Sequence, residues 1–500
     1  MSTGAIALLV TLVTAGVFAM LGLIHASRQT INLEEYMVSR NRFGTAMSFA
    51  TIVTSAMGIW ILFSPPQVGA TSGVAGIVGY CLASAAPIFA FMWIGPRIRH
   101  LMPMGHSLNE FVLYRFGNAM YVLVLAIILF YMFTYLTAEL TAIAKALQIT
   151  AEVPLGWTAL VVITATFIYT AYGGLGTTIF TDTIQFVVMV PLLLVCFGVA
   201  VLMLGGWEAA MAPVRLHSPE LLSFSSLPGI KFGATLVIAI LAAEMFNQGN
   251  WQRIYACRND KTVQRAFGGS ALIIPPILLI AGGLGLLAAH FGFNDDRAFF
   301  SLLQELTLPL WFTLLVLVLA LALVMSTLSS LLNGIASLFT IDLLRLFPQM
   351  QTSGVLKASR MLTVAAGIPA ILVAAQGYDV LYLFLLADLV CAGALFPVLF
   401  GLYSRRITGA MAVWSSILGI VAGALFFPKA DFTPWLNIPF GGDLLVSFVV
   451  PIVVSAVVVL VGQAIAAQQP STQFDFRQLQ THQLAYSETE ALQAADTLQE

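Results

Sequence analysis

The sequence predicts an all-α polytopic membrane protein with about thirteen transmembrane helices. Composition, the spacing of apolar segments and the placement of Lys and Arg carry this prediction. Of 500 residues, 59% are hydrophobic and only 9% are charged, and the mean hydropathy is +0.95. A soluble domain is about 25% charged. The 21 Lys and Arg and 23 Asp and Glu could not cover the water-facing surface of so long a chain. A surface that faces lipid is what remains. A net charge of −2 gives no footing for a nucleic-acid partner.

A helix needs about 20 apolar residues to cross a bilayer. Segments of that kind cover roughly residues 5–26, 46–70, 74–96, 119–147, 156–175, 179–205, 230–250, 268–291, 308–343, 358–376, 379–402, 407–427 and 443–467. The first has no basic residue before it and no small-residue cleavage site after it, so it reads as a span rather than a cleaved signal. With the N-terminus outside, sixteen Lys and Arg fall on the cytoplasmic side and five outside: Lys145, Arg215, Lys231, Arg297 and Lys429. That asymmetry obeys the positive-inside rule, and one miscounted span near the middle would erase it. The expected location is the cell membrane, with the C-terminus cytoplasmic. Residues 468–500 are polar and rich in Gln and Thr and read as a cytosolic tail, disordered or loosely helical. Cys81, Cys196, Cys257 and Cys391 are scattered, lack metal spacing and read as packing residues.

Two spans are interrupted. Span 2, "SFATIVTSAMGIWILFSPPQVG", carries Gly58 in its middle and Pro65–Pro66, which end or kink the helix. Span 7, "LVIAILAAEMFNQGNWQRIY", carries Glu244, then Asn247, Gln248, Gly249 and Asn250. A proline kink and a helix that stops at the membrane face would account for each taken singly. Together they open two five-helix sets, residues 46–206 and 230–402, preceded by residues 1–45 and followed by spans 12 and 13 in 403–467. Five is odd, so the second set enters the membrane inverted. Matching breaks in inverted halves point to a transporter's central site. Span 9 adds "MSTLSS", with Ser326, Ser329 and Ser330 on one helix face and Thr327 beside them. Such a run suits either close helix packing or a hard cation that takes hydroxyl oxygens.

Five stretches carry a resemblance. "YTAYGGLGTTIFTDTIQ" (169–185) closely resembles the signature of the sodium/solute symporter family. "LEEYMVSRNRFG" (33–44), "NQGNWQRIYACRND" (247–260), "ALVMSTLSSLLNGIASLFTIDL" (322–343) and "VLFGLYSRRITGAMA" (398–412) are similar to further family segments in the right order. The resemblance implies a LeuT-type five-plus-five inverted repeat, with one helix before it and two after, and a sodium-coupled symporter rather than an enzyme. It places the main sodium site on the hydroxyls of Ser326 and Thr327 and the carbonyls of Leu323, Thr54 and Met57. It places a second sodium, found in part of the family, on Asp182, Ser326, Ser329 and Ser330. The other reading of Asp182 is a solvated or capping acid at the cytoplasmic end of span 6. Ala56 stands where the proline transporters carry an aspartate, which argues against that assignment. Leu323 replaces a smaller residue, harmless if only its carbonyl binds.

The resemblance sets the solute between the two broken helices. Asn247 and Gln248 are the first candidates, with Gln67, Trp60 and Glu244 after them; Trp60 also reads as packing, and Tyr131, Phe133 and Tyr135 read as apolar filling or at most gate residues. Glu139 and Asp388 are intramembrane acids without an assigned role, and such acids usually serve function. A small polar solute of the amino acid, urea or sugar class is expected. Proton coupling through Glu244 or Asp182 is the alternative within transport. A solute sensor on the same fold would need a cytosolic signalling region larger than this tail. No HExxH pair, nucleophile–base set or Cys/His metal set suggests an enzyme.

Overall fold

The computed structural model describes residues 3–29, 32–306, 309–466 and 473–480. Among the described residues the chain forms helices and no strand. In order they are α1 (Thr3–Ser27), α2 (Leu33–Met37), α3 (Thr45–Ala56), α4 (Ser64–Leu101), α5 (Leu108–Phe116), α6 (Asn118–Ala151), α7 (Leu155–Met203), α8 (Trp207–His217), α9 (Leu227–Glu244), α10 (Gln248–Ala256), α11 (Asp260–His290), α12 (Ala298–Glu305), α13 (Leu310–Leu346), α14 (Thr352–Ala374), α15 (Val380–Gly401), α16 (Gly409–Ala424) and α17 (Leu444–Ala466). Ten of them are long and apolar enough to cross a membrane: α1, α4, α6, α7, α9, α11, α13, α14, α15 and α17.

Two of the ten are not single rods. At about 1.5 Å per residue, the 49 residues of α7 would far exceed a hydrocarbon core of about 30 Å. The chain departs from helical geometry at Gly174 (φ 56, ψ −162) in α7 and at Gly73 (φ 65, ψ −162) in α4. The thirteen-segment layout draws its boundaries between spans 5 and 6 and between spans 2 and 3 at these glycines, and it counts the shorter α16 as a span. Gly174 has a second constraint. A Cβ there would lie 2.7 Å from Tyr36 Cα, so the double glycine of the signature lets α2 approach α7 closely. Pro65 and Pro66 do not end a helix as expected; they open α4, where a missing N–H costs nothing.

Packing sorts the helices into centre and rim. In α13, 83% of the most apolar window is buried inside the protein, against 28% in α17 and 33% in α1. The outer helices therefore show leucine and valine outward, including Leu9, Leu12, Val453 and Leu460, as a lipid-facing surface requires. The segment after α17 was expected to be a disordered or loosely helical tail; most of it lies outside the described residues. Residues 473–480, however, dock. The Arg115 guanidinium sits 4.4 Å over the Phe474 ring, Arg97 sits 5.4 Å over Phe476, and the Phe474 N–H donates to the Arg405 carbonyl. Two phenylalanines in a polar tail account for the difference, since each gives an arginine a face to cover.

The stretch 33–44 ties the loop after α4 to the end of α10. Arg40 pairs with Glu34 at 2.6 Å and donates to the carbonyls of Pro103 and Gly105. His106 pairs with Glu34 at 2.6 Å, and the Asn41 N–H donates to the Tyr255 carbonyl. Burial opposes a charge on His106, but the Glu110 and Glu34 carboxylates outweigh it and lift its pKa to about 10. Burial likewise opposes the Glu34 charge, and His106 and Arg40 outweigh that and hold its pKa down to about 2. The His106 contribution is complete below its ordinary value of 6.5 and fades as pH rises through about 10. The Glu34 contribution is complete above its ordinary value of 4.5 and fades as pH falls through about 2. The clasp is therefore strongest between these ordinary values. His106→Gln should cost about 1–3 kcal/mol there and flatten the loss of stability towards alkaline pH, read by thermal unfolding across a pH series.

Candidate functional site

The site begins where span 2 breaks. α3 stops at Ala56, Met57 and Gly58 leave helical geometry, and a 3-10 turn over Ile59–Leu62 leads into α4. In a membrane the freed N–H groups need acceptors from the protein. Glu139, from the middle of α6, supplies them: its carboxylate accepts from Ile59 N–H at 3.0 Å and Trp60 N–H at 3.4 Å. Gly58 leaves room for this contact, because a Cβ there would meet the Glu139 carboxylate and make it shift. The break has a consequence for the carbonyls. Trp60 and Ile61, whose N–H groups would close a regular turn on Met57, donate to Glu139 and to the Gly58 carbonyl instead. The Met57 carbonyl is thereby left for another partner. The Thr54 carbonyl accepts only a longer bond, at 3.3 Å, from Met57 N–H.

Span 7 breaks between α9 and α10, over Met245–Asn247. Here side chains replace the lost helix bonds. Asn247 caps α10 by accepting from Gly249 N–H, and the Trp251 ring N–H donates to the Met245 carbonyl at 2.8 Å. Glu244, the last residue of α9, accepts from Tyr131 Oη at 3.0 Å, Asn250 Nδ2 at 2.7 Å and Asn247 Nδ2 at 3.2 Å.

Between the two breaks lies a cavity with about 750 Å³ of non-atom space, its mouth included. Ala56 and Trp60 line it from the first break and Ala243, Glu244 and Asn250 from the second. Tyr131 and Tyr135 of α6 and Phe384 and Asp388 of α15 complete its walls. A smaller cavity adjoins, lined by Ser55, Tyr135, Asn247, Asn250, Thr327, Ser330 and Arg253. It brings the last turn of α3 to the hydroxyl face of α13.

Asp182 is fully buried, and both its oxygens are engaged. Oδ1 accepts from Ser326 Oγ at 2.8 Å, and Oδ2 accepts from Thr51 Oγ1 and from Arg253 Nη2 at 3.0 Å. Arg253 also donates to Ser330 Oγ at 2.6 Å, Thr51 Oγ1 at 2.9 Å and the Gly249 carbonyl at 3.0 Å. One ion pair thus joins α3, α7, α10 and α13.

The residues named from the sequence divide accordingly. Thr54, Met57 and Thr327 sit at the first break and on the α13 face opposite it, and Thr327 Oγ1 bonds back to the Leu323 carbonyl at 3.4 Å. Ser326 meets Asp182, while Ser329 and Ser330 turn their hydroxyls to the Ser326 carbonyl. Trp60 and Glu244 line the large cavity and Asn247 the small one. Gln67 and Gln248 line neither. Gln67 donates to Asp379, at the start of α15, at 2.8 Å, and Gln248 donates to the His106 carbonyl at 2.9 Å. Arg253 had no assigned role in the sequence reading. Asp388 and the α6 tyrosines stood there as an unplaced acid and as packing. The one signal available was an acid kept in an apolar span.

Two variants probe the site's frame. Gly58→Ala should push Glu139 off the break and abolish transport while the protein still inserts, read by uptake against membrane-expressed protein. Asp182→Asn alone should strand a buried guanidinium at a cost of about 3–5 kcal/mol; the pair Asp182→Asn with Arg253→Gln should regain part of it, read by thermal unfolding.

Residues 36–419 match the sodium:solute symporter family. A spermidine transporter, DUR31 of Candida albicans, is 28% identical over 397 residues, which are 76% of this chain and 73% of that protein. A sodium/glucose cotransporter of Vibrio parahaemolyticus is 27% identical over 70% of this chain and 71% of its own length. The high-affinity proline transporter PutP of Bacillus subtilis is 24% identical over 86% and 95%. Among solved structures, a sodium-coupled sialic acid symporter in a substrate-bound, outward-open state superposes with a TM-score of 0.75 at 18% identity, covering 94% of this chain and 99% of that one. Mhp1, a nucleobase-cation-symport-1 family transporter, gives 0.59 at 14% identity, over 89% and 98%. The fold is thus the LeuT-like one, and the chain belongs to the sodium:solute symporter family, whose work is sodium-coupled secondary transport across a membrane.

Proposed function

We propose that the protein carries a small polar solute inward with sodium by alternating access, holding the ion where α3 breaks against α13 and the solute in the adjoining cavity. The observation that carries this reading is that one cavity touches both helix breaks. The main sodium site consists of the Thr54, Met57 and Leu323 carbonyls and the Ser326 and Thr327 hydroxyls. Sodium is a hard cation that favours oxygen, and the released Met57 carbonyl beside the α13 hydroxyls meets that need without a fixed charge. Sodium joined to both helices fixes the break, and through it Trp60 on the cavity wall. Ion binding thereby shapes the place where the solute lands. Residues 46–206 and 230–402 act as the two inverted halves, with the N-terminus outside and the C-terminus inside, as the Lys and Arg asymmetry favours. The membrane potential then favours entry of the ion by about 2.3 kcal/mol per charge per 100 mV.

A second sodium at Asp182, Ser326, Ser329 and Ser330 would compete with Arg253 for the same carboxylate. Since Arg253 already meets that charge, the reading favours one sodium per solute. Removing sodium at fixed pH separates sodium coupling from proton coupling through Glu244 or Asp182. The relatives' names span a polyamine, a sugar and an amino acid. Family membership therefore leaves the solute to the chemistry of the cavity.

The test is solute-dependent uptake of radioactive sodium into proteoliposomes. Thr327→Ala should raise the sodium concentration for half-maximal uptake at least tenfold, with less effect on the maximal rate. Ser326→Ala should do the same and also loosen Asp182. A wild-type sodium response in both variants would overturn the site.

A further inference from the structure

We propose that the solute is an organic cation, a small flexible amine with two or more ammonium groups. This inference rests on the reading that the cavity between the breaks is the solute site.

Charge comes first. Two carboxylates line the cavity, Glu244 from α9 and Asp388 from α15, and among the described residues no Lys, Arg or His lines it with them. The hydrogen bonds to Glu244 come from neutral donors, the Tyr131 hydroxyl and the Asn247 and Asn250 amides, and the Arg253 guanidinium acts on it from farther off. Asp388 is 5% exposed, and that exposure is to the cavity; it has no hydrogen-bond or ion-pair partner among the described residues. Arg253, on the wall of the adjoining small cavity, is committed to Asp182, Thr51, Ser330 and the Gly249 carbonyl. Glu139 is excluded from solute duty because it closes the helix break. An entering ammonium brings each of Glu244 and Asp388 a counter-charge. A buried acid without such a partner is strongly disfavoured.

The same balance separates solute classes. An anion meets two like charges and no cation. A zwitterionic amino acid gains at its ammonium and loses at its carboxylate. A neutral sugar leaves both acids unmatched, and a monocation leaves one. A dication matches both, and the acids stand on two different helices.

The walls supply the second observation. Tyr80, Trp60, Phe384, Tyr135 and Tyr131 make an unbroken run of ring contacts, with successive centroids 5.6, 6.4, 4.9 and 5.8 Å apart. All five line the cavity. Ring faces hold ammonium groups and cover the methylenes between them. The lining thus sets two acids among ring faces. That pattern suits a chain of methylenes with charges at intervals.

The experiment uses the full-length protein in proteoliposomes with an inward sodium gradient. Radiolabelled putrescine is the probe, and 1-butylamine and 1,4-butanediol are competitors of similar size with one charge and none. Expected are sodium-stimulated putrescine uptake, inhibition by butylamine only at concentrations at least tenfold above those of unlabelled putrescine, and no inhibition by butanediol. Asp388→Asn should raise the putrescine KM at least tenfold with a smaller change in kcat. Glu244→Gln is the second variant should the first fail to fold. Proline or glucose driving sodium uptake while putrescine neither enters nor competes would overturn the inference and leave sodium symport standing. Putrescine uptake indifferent to sodium would sustain the inference and overturn sodium coupling. No putrescine uptake, together with no putrescine binding to the purified protein by calorimetry, would end the inference.

Discussion

A helix cannot be left open in lipid, and the architecture depends on how one open helix is closed. Span 2 stops at Ala56 and resumes at Ser64, leaving the N–H groups of Ile59 and Trp60 without regular helix partners. Glu139 receives both. The acid is costly in the membrane, and its cost is offset because it ends a larger one, two unsatisfied backbone donors. Gly58 suits the same contact, since a side chain there would make the carboxylate shift. With the N–H groups diverted to Glu139, the Met57 carbonyl turns from a helix bond into a potential ligand, and Trp60 becomes a cavity wall.

A second buried charge performs a different task. Asp182 and Arg253 form an ion pair that holds α7 to α10, and Thr51, Ser326 and Ser330 extend it to α3 and α13. Every element that borders the proposed sodium site therefore meets at one pair. Buried pairs contribute little net stability over apolar packing, and what this one supplies is register: it sets where the hydroxyls of α13 stand relative to the end of α3. Alternating access needs helices that move as units, and a shared ion pair is a means of coupling α10, the second half of span 7, to α3, the first half of span 2. The clasp made by Glu34, Arg40 and His106 lies close by in the chain path, tying the loop before α3 to the loop after α4.

Much of this was legible in the sequence, and the limits have physical causes. Apolar length showed ten of the spans, because the bilayer imposes one length on every crossing. The breaks showed as Gly58 and as the polar run after Glu244, because few side chains survive at a gap in a membrane helix. The α13 hydroxyls showed through their spacing. Partners did not show. Gln67 and Gln248 have the look of solute ligands, yet Asp379 and the His106 carbonyl claim them. Tyr131 and Tyr135 look like filling, since an apolar helix surrounded by protein carries no mark of which face meets a cavity. Arg253 lies 71 residues from Asp182 and sits at what reads as the membrane face, so nothing local links the two.

The chain by itself determined that it is a membrane protein of many helices, where those helices are interrupted and which acids they keep. Those properties follow from the solvent, which acts on each segment separately. Only the tertiary structure decided what each acid does: Glu139 closes a backbone, Asp182 meets an arginine, and Glu244 and Asp388 face a cavity walled by rings. The reason is that a buried carboxylate is defined by the group that compensates its charge, and that group comes from another helix, placed there by packing rather than by proximity in sequence.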